Sequence, residues 1–193
     1  MPAIRLLTLA CLALVLGACT QKPQSLELSL NPPEPAASVS GGPAVALETV
    51  DRRPDKTLGT VASYNDKGDA PITTDQDVAY VLKVATGETL KRAGFQPELW
   101  SDSASPRLII EITTLNHEVT ADIPRRLRTE VTLTARAWRG GERFTAKATA
   151  SHESRMATAP GPERNASEIE RGLRDALRQL FDQRLVDFLA GRG

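Results

Sequence analysis

The chain has 193 residues, enough for one domain with a buried core after removal of a short leader. Its 24 Lys and Arg residues balance 24 Asp and Glu residues, giving a net charge of zero. A nucleic-acid partner calls for a basic excess, so this balance argues against one. The two cysteines, Cys11 and Cys19, lie within or directly after the leader, so we expect the processed domain to have neither a disulfide nor a cysteine metal site.

The first residues have the features of an export signal. Arg5 is the only charged residue before Cys19, and an apolar run over residues 6–16 follows it. A permanent membrane helix needs roughly 20 apolar residues, so the shorter run predicts a signal peptide over residues 1–18. The segment closes with Leu16, Gly17, Ala18 and Cys19.

This ending resembles the lipobox of bacterial lipoproteins. The resemblance implies that the Cys19 thiol receives diacylglycerol, that cleavage occurs before Cys19, and that the new amino group is acylated. Buried acyl chains contribute about 0.8 kcal/mol per CH₂, so several chains give a permanent anchor. The alternative is a plain secretory signal in which Cys19 is incidental. Thr20 stands where an aspartate favours the inner membrane, so the same resemblance implies an outer-membrane protein facing the periplasm.

Residues 19–43 are predicted to be a tether between the lipid and the domain. Five prolines and a run of Ala, Ser and Gly are typical of an extended linker. Within the tether, Leu26, Leu28 and Leu30 alternate with polar residues, as in a strand. They form either an edge strand packed on the domain or a binding strip.

We expect residues 44–193 to form a single α+β domain. Apolar and β-branched runs predict strands at 44–50, 58–64 and 107–116. An amphipathic helix is predicted between the second and third of these strands. Thr74 or Asp75 caps it, and Gly94 ends it.

A hairpin is predicted around Gly140 and Gly141. A two-residue turn there pairs Ala137 with Phe144, Leu133 with Ala148, and the other residues of the two strands in the same register. One face of the hairpin is then apolar and the other almost wholly polar, with Trp138 opposite Arg143 on the polar face. A slip by one residue would destroy both faces.

The last helix completes the predicted core. Asn165 and Glu168 have the spacing of a capping box, and one long apolar stripe runs from Ile169 to Leu189. The predicted architecture is two-layered, with a mixed or antiparallel sheet of about five strands and two helices packed on one face.

The chemistry-bearing residues form no catalytic pattern. His117 and His152 are the only histidines and lack the spacing of metal ligands. The sequence has neither a Gly-x-Ser-x-Gly elbow nor a glycine-rich phosphate loop. We therefore expect no catalytic residue, metal or cofactor, and no enzyme activity.

Two places are candidates for interaction with a partner. Asp51, Arg53 and Asp55 belong to a charged turn that is either a recognition loop or a solvated turn with weak local ion pairs. Trp138 and Arg143 form either a cation–π pair or an anchor for a partner. The basic residues of 125–128 are either a solvated loop or a contact for anionic lipid headgroups.

Short motifs connect these elements to a family. The Asp51-x-Arg53 turn precedes Leu58-Gly59, and the predicted helix ends near Arg92-Ala93-Gly94-Phe95. With the lipobox, the chain resembles the YajG family of uncharacterised bacterial lipoproteins. The resemblance implies an envelope location and transfers no activity.

Two functions follow from these expectations. The first is a lipid-anchored, non-catalytic binding or scaffolding module that engages an envelope protein. The second is an auxiliary lipoprotein of an envelope transport or cell-wall machine, binding a lipid or glycan in a groove between sheet and helices.

Overall fold

The computed structural model describes residues 22–64 and 68–192. The predicted signal peptide and its residues Leu16, Gly17, Ala18 and Cys19 lie outside this part. Within the described residues, no helix is long and apolar enough to cross a membrane.

The described chain contains eight strands and three helices. The strands are β1 (Gln24–Ser25), β2 (Ala44–Asp51), β3 (Gly59–Val61), β4 (Ala70–Thr73), β5 (Gln96–Leu99), β6 (Arg107–Val119), β7 (Arg125–Arg139) and β8 (Glu142–Met156). The helices are α1 (Val78–Arg92), α2 (Pro162–Leu180) and α3 (Gln183–Ala190).

The expectation of about five strands and two helices is wrong, although the α+β class holds. The additional strands β1, β4 and β5 have four residues or fewer, too short for a periodic pattern. The last apolar stripe is divided into two helices. Asp182 caps α3 by accepting a hydrogen bond from the Leu185 backbone N–H at 3.0 Å.

The caps of the two longer helices also differ from prediction. Asp77 caps α1, because its carboxylate accepts from the backbone N–H groups of Ala79 and Tyr80. Helix α2 begins at Pro162, a residue whose fixed φ suits the first turn. Asn165 and Glu168 are therefore not a capping box. Both lie buried inside α2.

Strand β6 lies at the centre of a mixed sheet. One of its edges pairs with antiparallel β7 along its length, and β7 pairs with β8. The other edge is shared by two parallel strands, β2 beside the first half and β3 beside the end. Strand β5 extends the sheet beyond β2, and β4 and β1 extend it beyond β3.

The predicted register of the β7–β8 hairpin is confirmed. Leu133 pairs with Ala148 and Trp138 with Arg143. Gly140 and Gly141 have φ values of 55° and 90°, the left-handed region that two-residue hairpin turns require.

All three described helices pack on one face of the sheet. The Thr49 hydroxyl of β2 donates to the Ala79 carbonyl of α1 at 2.6 Å. A Cβ on Gly172 of α2 would lie 2.8 Å from a methyl carbon of Val131 in β7. Phe188 of α3 stacks on Phe144 of β8 with ring centroids 5.4 Å apart. Successive strand residues point to opposite faces, so their neighbours point away from the helices.

The segment predicted as a tether packs on the domain from Gln24 onward. We call residues 24–43 the strap. Strand β1 pairs in parallel with β4, and Leu26, Leu28 and Leu30 are buried. Packing on the domain is thus the correct alternative, because three alternating leucines gain more by burial than by remaining in solvent. The edge strand itself covers only Gln24–Ser25, and residues 26–30 pack without strand pairing.

The strap also joins the two long helices. The Leu28 backbone exchanges two hydrogen bonds with Gln76, just before α1, at 2.6 and 3.2 Å. The Ser29 backbone N–H donates to Glu170 of α2 at 2.6 Å. The space between α1 and α2 is therefore occupied by the chain itself.

Candidate interaction surface

The outward face of the sheet is left uncovered by the described helices. Its rows follow from the strand registers: Arg107 of β6 lies beside Trp138 of β7, and Trp138 beside Arg143 of β8. We call this face the open face. Its corner next to the β7–β8 turn combines aromatic and cationic side chains.

Two tryptophans and one arginine form the centre of this corner. The rings of Trp100 and Trp138 meet edge to face, with centroids 6.3 Å apart. The Arg107 guanidinium carbon lies 5.8 Å from the Trp100 ring centroid and 5.2 Å from that of Trp138. The cation is attracted by the electron-rich ring faces, so the three side chains hold one another in place. We call them the Trp-Arg cluster.

The cluster only partly matches the sequence prediction. Arg143 is the cross-strand neighbour of Trp138, as predicted, but the cation over the Trp138 ring is Arg107. Arg107 could have been found, because it alternates with the buried Leu108 and must point outward. Trp100 gives no such signal, since its contact with Trp138 depends on the order of strands β5, β2, β6 and β7.

A shallow depression of about 350 Å³ adjoins the cluster. Residues 102–105 form one wall, and Trp138, Arg107 and Arg143 contribute to the other. Among the described residues, the buried Arg107 Nε has no hydrogen-bond partner. The guanidinium is thus positioned by ring faces rather than neutralised by a carboxylate.

The open face carries more cations than acids. Its outward cations are Arg52, Arg107, Arg126, Arg128, Arg136, Arg143, Lys147 and Arg155, and its outward acids are Glu48, Glu98, Glu111, Glu118, Glu130 and Glu153. Glu111 is only 9% exposed and binds Arg52 at 3.3 Å and Arg136 at 3.0 Å. Within the described chain, Arg107, Arg143 and Lys147 form no ion pair. The excess positive charge is therefore concentrated at β8 and the Trp-Arg cluster.

The charged turn over residues 51–56 is internally satisfied. Arg53 is 5% exposed and binds both carboxylate oxygens of Asp51, at 3.0 and 2.8 Å. Its remaining terminal nitrogen donates to the Thr57 carbonyl at 2.8 Å. Asp55 accepts from the Thr57 backbone N–H at 2.9 Å. Arg53 is a clamp that closes the turn, so its guanidinium is not free for a partner.

The electrostatics of this turn agree with a structural role. Burial by itself would raise the pKa of Asp51, but the side-chain and backbone hydrogen bonds from Arg53 outweigh it and lower that pKa. The Thr57 backbone N–H lowers the pKa of Asp55 in the same way. Both carboxylates are held in the charged form that the turn requires.

The basic residues of 125–128 belong to β7 rather than to a loop. Arg125 is 1% exposed and donates to the carbonyls of Ala62 and Thr120, at 3.2 and 2.9 Å. Arg128 forms an ion pair with Glu153 of the neighbouring strand β8, at 3.5 Å. Neither arginine is an unengaged cation.

A buried polar chain crosses the helix-covered side. Gln24 of the strap donates to the Pro160 carbonyl at 3.2 Å, and its oxygen accepts from the Asn165 amide at 2.7 Å. The Asn165 oxygen faces His117 Nε2 at 3.0 Å, and His117 Nδ1 faces the Thr129 hydroxyl at 2.7 Å. A carbonyl only accepts, so the directions are fixed along the chain and His117 is protonated at Nε2.

This polar chain joins the strap, the sheet and α2. Burial lowers the pKa of His117, although the hydrogen bond to Asn165 acts in the opposite direction. His117 is therefore a neutral, structural histidine. No group of three or more His, Cys, Asp or Glu side chains in the described residues is arranged to hold a metal ion.

The buried leucines of the strap occupy the space between α1 and α2, where the expected groove between sheet and helices would open. A shallow depression of about 440 Å³ remains outside it, between the strap and Tyr80, Val81 and Val84 of α1.

The chain is similar to several solved structures at low sequence identity, and the two with TM-scores above 0.5 share its fold. Protein XCC0632 from Xanthomonas campestris is 12% identical, with a TM-score of 0.56 over 87% of this chain and 95% of that one. An uncharacterized protein is 10% identical, with a TM-score of 0.51 over 83% and 97%. Lipoprotein GNA1162 from Neisseria meningitidis is 11% identical, with a TM-score of 0.38 over 69% and 96%. No curated protein sequence matches the chain.

The sequence itself gives the family. Residues 31–190 match the family described as "Uncharacterized lipoprotein", and the chain belongs to that family. This supports the lipoprotein class that the sequence motifs imply and agrees with a membrane-anchored envelope protein.

Proposed function

We propose that this lipoprotein is a non-catalytic binding module that engages an envelope protein through the cationic corner of its open face. The observation that carries this proposal is the Trp-Arg cluster. A tryptophan pair around an unneutralised arginine resembles the aromatic and arginine anchors that dominate binding energies at protein interfaces. The neighbouring open strands supply a flat surface around that anchor.

The charge of the open face defines the partner. Arg107, Arg143 and Lys147 lie together without an acid to neutralise them in the described chain. A partner with an acidic surface would therefore be attracted over a distance of about 8–10 Å at ordinary salt concentrations. Asp51, Arg53 and Asp55 have a smaller part in this account, because the turn satisfies its own charges.

The same proposal includes the anchor and the location. The lipobox supports acylation of Cys19, and Thr20 supports the outer membrane with the domain facing the periplasm. The alternative function, a lipid or glycan bound between sheet and helices, has weaker support because the strap fills that groove.

Charge reversal tests the binding surface. Arg143→Glu with Lys147→Glu should weaken retention of the acidic partner about tenfold, since each rim charge contributes roughly 0.5–1 kcal/mol. The matched control is Arg171→Glu with Arg178→Glu on the exposed side of α2. Captures from native membranes are compared at low and high salt. Equal loss of the partner in both variants, or in neither, would contradict the proposed surface.

Acylation is tested separately by Cys19→Ser. The native protein should carry acyl chains in an intact-mass measurement and should float with membranes. The variant should lack the chains and leave the membrane fraction. Membrane retention of unacylated Cys19→Ser protein would sink the anchoring claim.

A further inference from the structure

The chain before β1 leaves the domain at one particular end of the sheet. Gln24 lies level with Ile72 of β4, which lies level with Gly59 of β3 and, through β3, with His117 of β6. Strand β1 is parallel to β4, so the preceding residues lead back towards the level of Ala70 and Val119. This is the end at which β3 and β6 finish.

Two exposed apolar side chains lie at the same end. Tyr64 follows β3 and is 51% exposed, and Ile123 lies in the β6–β7 turn and is 72% exposed. Arg125 holds the two turns together through the Ala62 and Thr120 carbonyls. Its guanidinium carbon also lies 4.5 Å from the centroid of the Tyr64 ring. Arg125 therefore fixes Tyr64 relative to the start of the β6–β7 turn, which carries Ile123.

The length of chain between Cys19 and the domain is short. Lys22 is three residue steps after Cys19, and three steps of chain extend at most about 11 Å. This step rests on the acylation of Cys19 proposed above. A lipid on Cys19 would therefore hold this end of the sheet close to the membrane surface.

We propose that Tyr64 and Ile123 dock the domain onto the lipid headgroup region of the membrane that holds the Cys19 anchor. Tyrosine favours the boundary between headgroups and acyl chains, and an exposed isoleucine gains by insertion there. The nearby Arg126 is paired with Asp122 at 3.3 Å, so docking depends on apolar contact more than on lipid charge. Strand β6 then directs the Trp-Arg cluster away from the membrane, about 40 Å from this end.

Site-directed fluorescence tests this docking. The processed, acylated protein is placed in vesicles of phosphatidylethanolamine and phosphatidylglycerol that carry a nitroxide quencher in the acyl region. A fluorophore is attached at Ile123→Cys or, as control, at Ser103→Cys near the Trp-Arg cluster. Quenching should be several-fold stronger at position 123 and should persist at high salt. Equal, weak quenching at both positions would overturn the proposal.

A second comparison separates docking from mere proximity. The fluorophore is attached at Asp69→Cys in every protein. The test variant combines Tyr64→Ser with Ile123→Ser. The control variant combines Tyr80→Ser with Val84→Ser on α1. Only the first pair should reduce the quenching at position 69. Unchanged quenching in that pair, in protein whose intact mass and flotation show the acyl anchor, would overturn docking and leave anchoring intact. Protein without acyl chains that stays in solution would overturn both.

Discussion

Two arginines, one in the turn after β2 and one on β6, are held in opposite ways. Arg53 is enclosed by Asp51 and the Thr57 carbonyl, and its charge is fully used within the turn. Arg107 lies beside the rings of two tryptophans, and its charge is not neutralised by an acid in the described chain. Residue type alone therefore does not identify the binding residue. The groups that surround each arginine identify it.

The Arg53 clamp gives a stability prediction. Arg53→Ala should lower the free energy of unfolding by about 2 kcal/mol, because the partly buried Asp51 would lose its main partner and keep only the exposed Lys56 at 3.3 Å. Arg52→Ala is the matched control. Its side chain is 60% exposed and Glu111 retains Arg136, so the loss should be below about 1 kcal/mol. Urea unfolding measures both, and similar values would refute the clamp.

His117 gives a pH prediction. Its pKa in the folded protein is lower than the ordinary 6.5, so the unfolded chain binds more protons between these two values. The free energy of unfolding should therefore be highest above pH 6.5 and should fall as the pH drops below it. His117→Gln should flatten this slope, since glutamine can keep one donor and one acceptor. An unchanged slope would show that His117 does not cause it.

At the scale of elements, two glycines within helices have different reasons to be there. Gly172 of α2 lies against β7, and a Cβ there would meet Val131 at 2.8 Å and Thr129 at 3.2 Å. Gly87 of α1 has no neighbouring atom closer than 4.0 Å to such a Cβ. The first glycine is needed for close packing, whereas the second has space for a methyl group.

This difference predicts opposite results for the same substitution. Gly87→Ala should raise the free energy of unfolding by about 0.5–1 kcal/mol through better helix propensity. Gly172→Ala should lower it by about 1–2 kcal/mol, because overpacking exceeds that gain. Thermal unfolding of the two variants provides the measurement. Stabilisation by Gly172→Ala would mean that α2 lies farther from the sheet than described.

The elements also show what the sequence could predict. The β7–β8 register follows from local alternation and two turn glycines, and it is confirmed. The strands β1 and β5 depend on partners far along the chain, so no local pattern predicts them. The strap looked like a linker because prolines dominate its composition, whereas three leucines decide where it packs. Trp100 is missing from the sequence prediction for the same long-range reason.

For the whole molecule, the long strands define an axis with different surfaces at its two ends. The chain enters beside Tyr64 and Ile123, and the Trp-Arg cluster lies at the opposite end of β6. The helices and the strap cover one face, and the cationic open face remains for a partner. An anchored protein of this form would present its binding corner to the envelope at a defined height above the membrane.

The most direct test of this account is photo-crosslinking at one position on each face. A photo-reactive amino acid replaces Thr145, which lies outward on β8 between Arg143 and Lys147, or Ser167, which is exposed on α2. The acylated protein is irradiated in intact cells and its products are identified by mass spectrometry. We expect position 145 alone to crosslink to one envelope protein with an acidic surface, and Arg143→Glu with Lys147→Glu to reduce the product about tenfold. The same product from both positions, or a product from position 167 alone, would contradict binding through the open face.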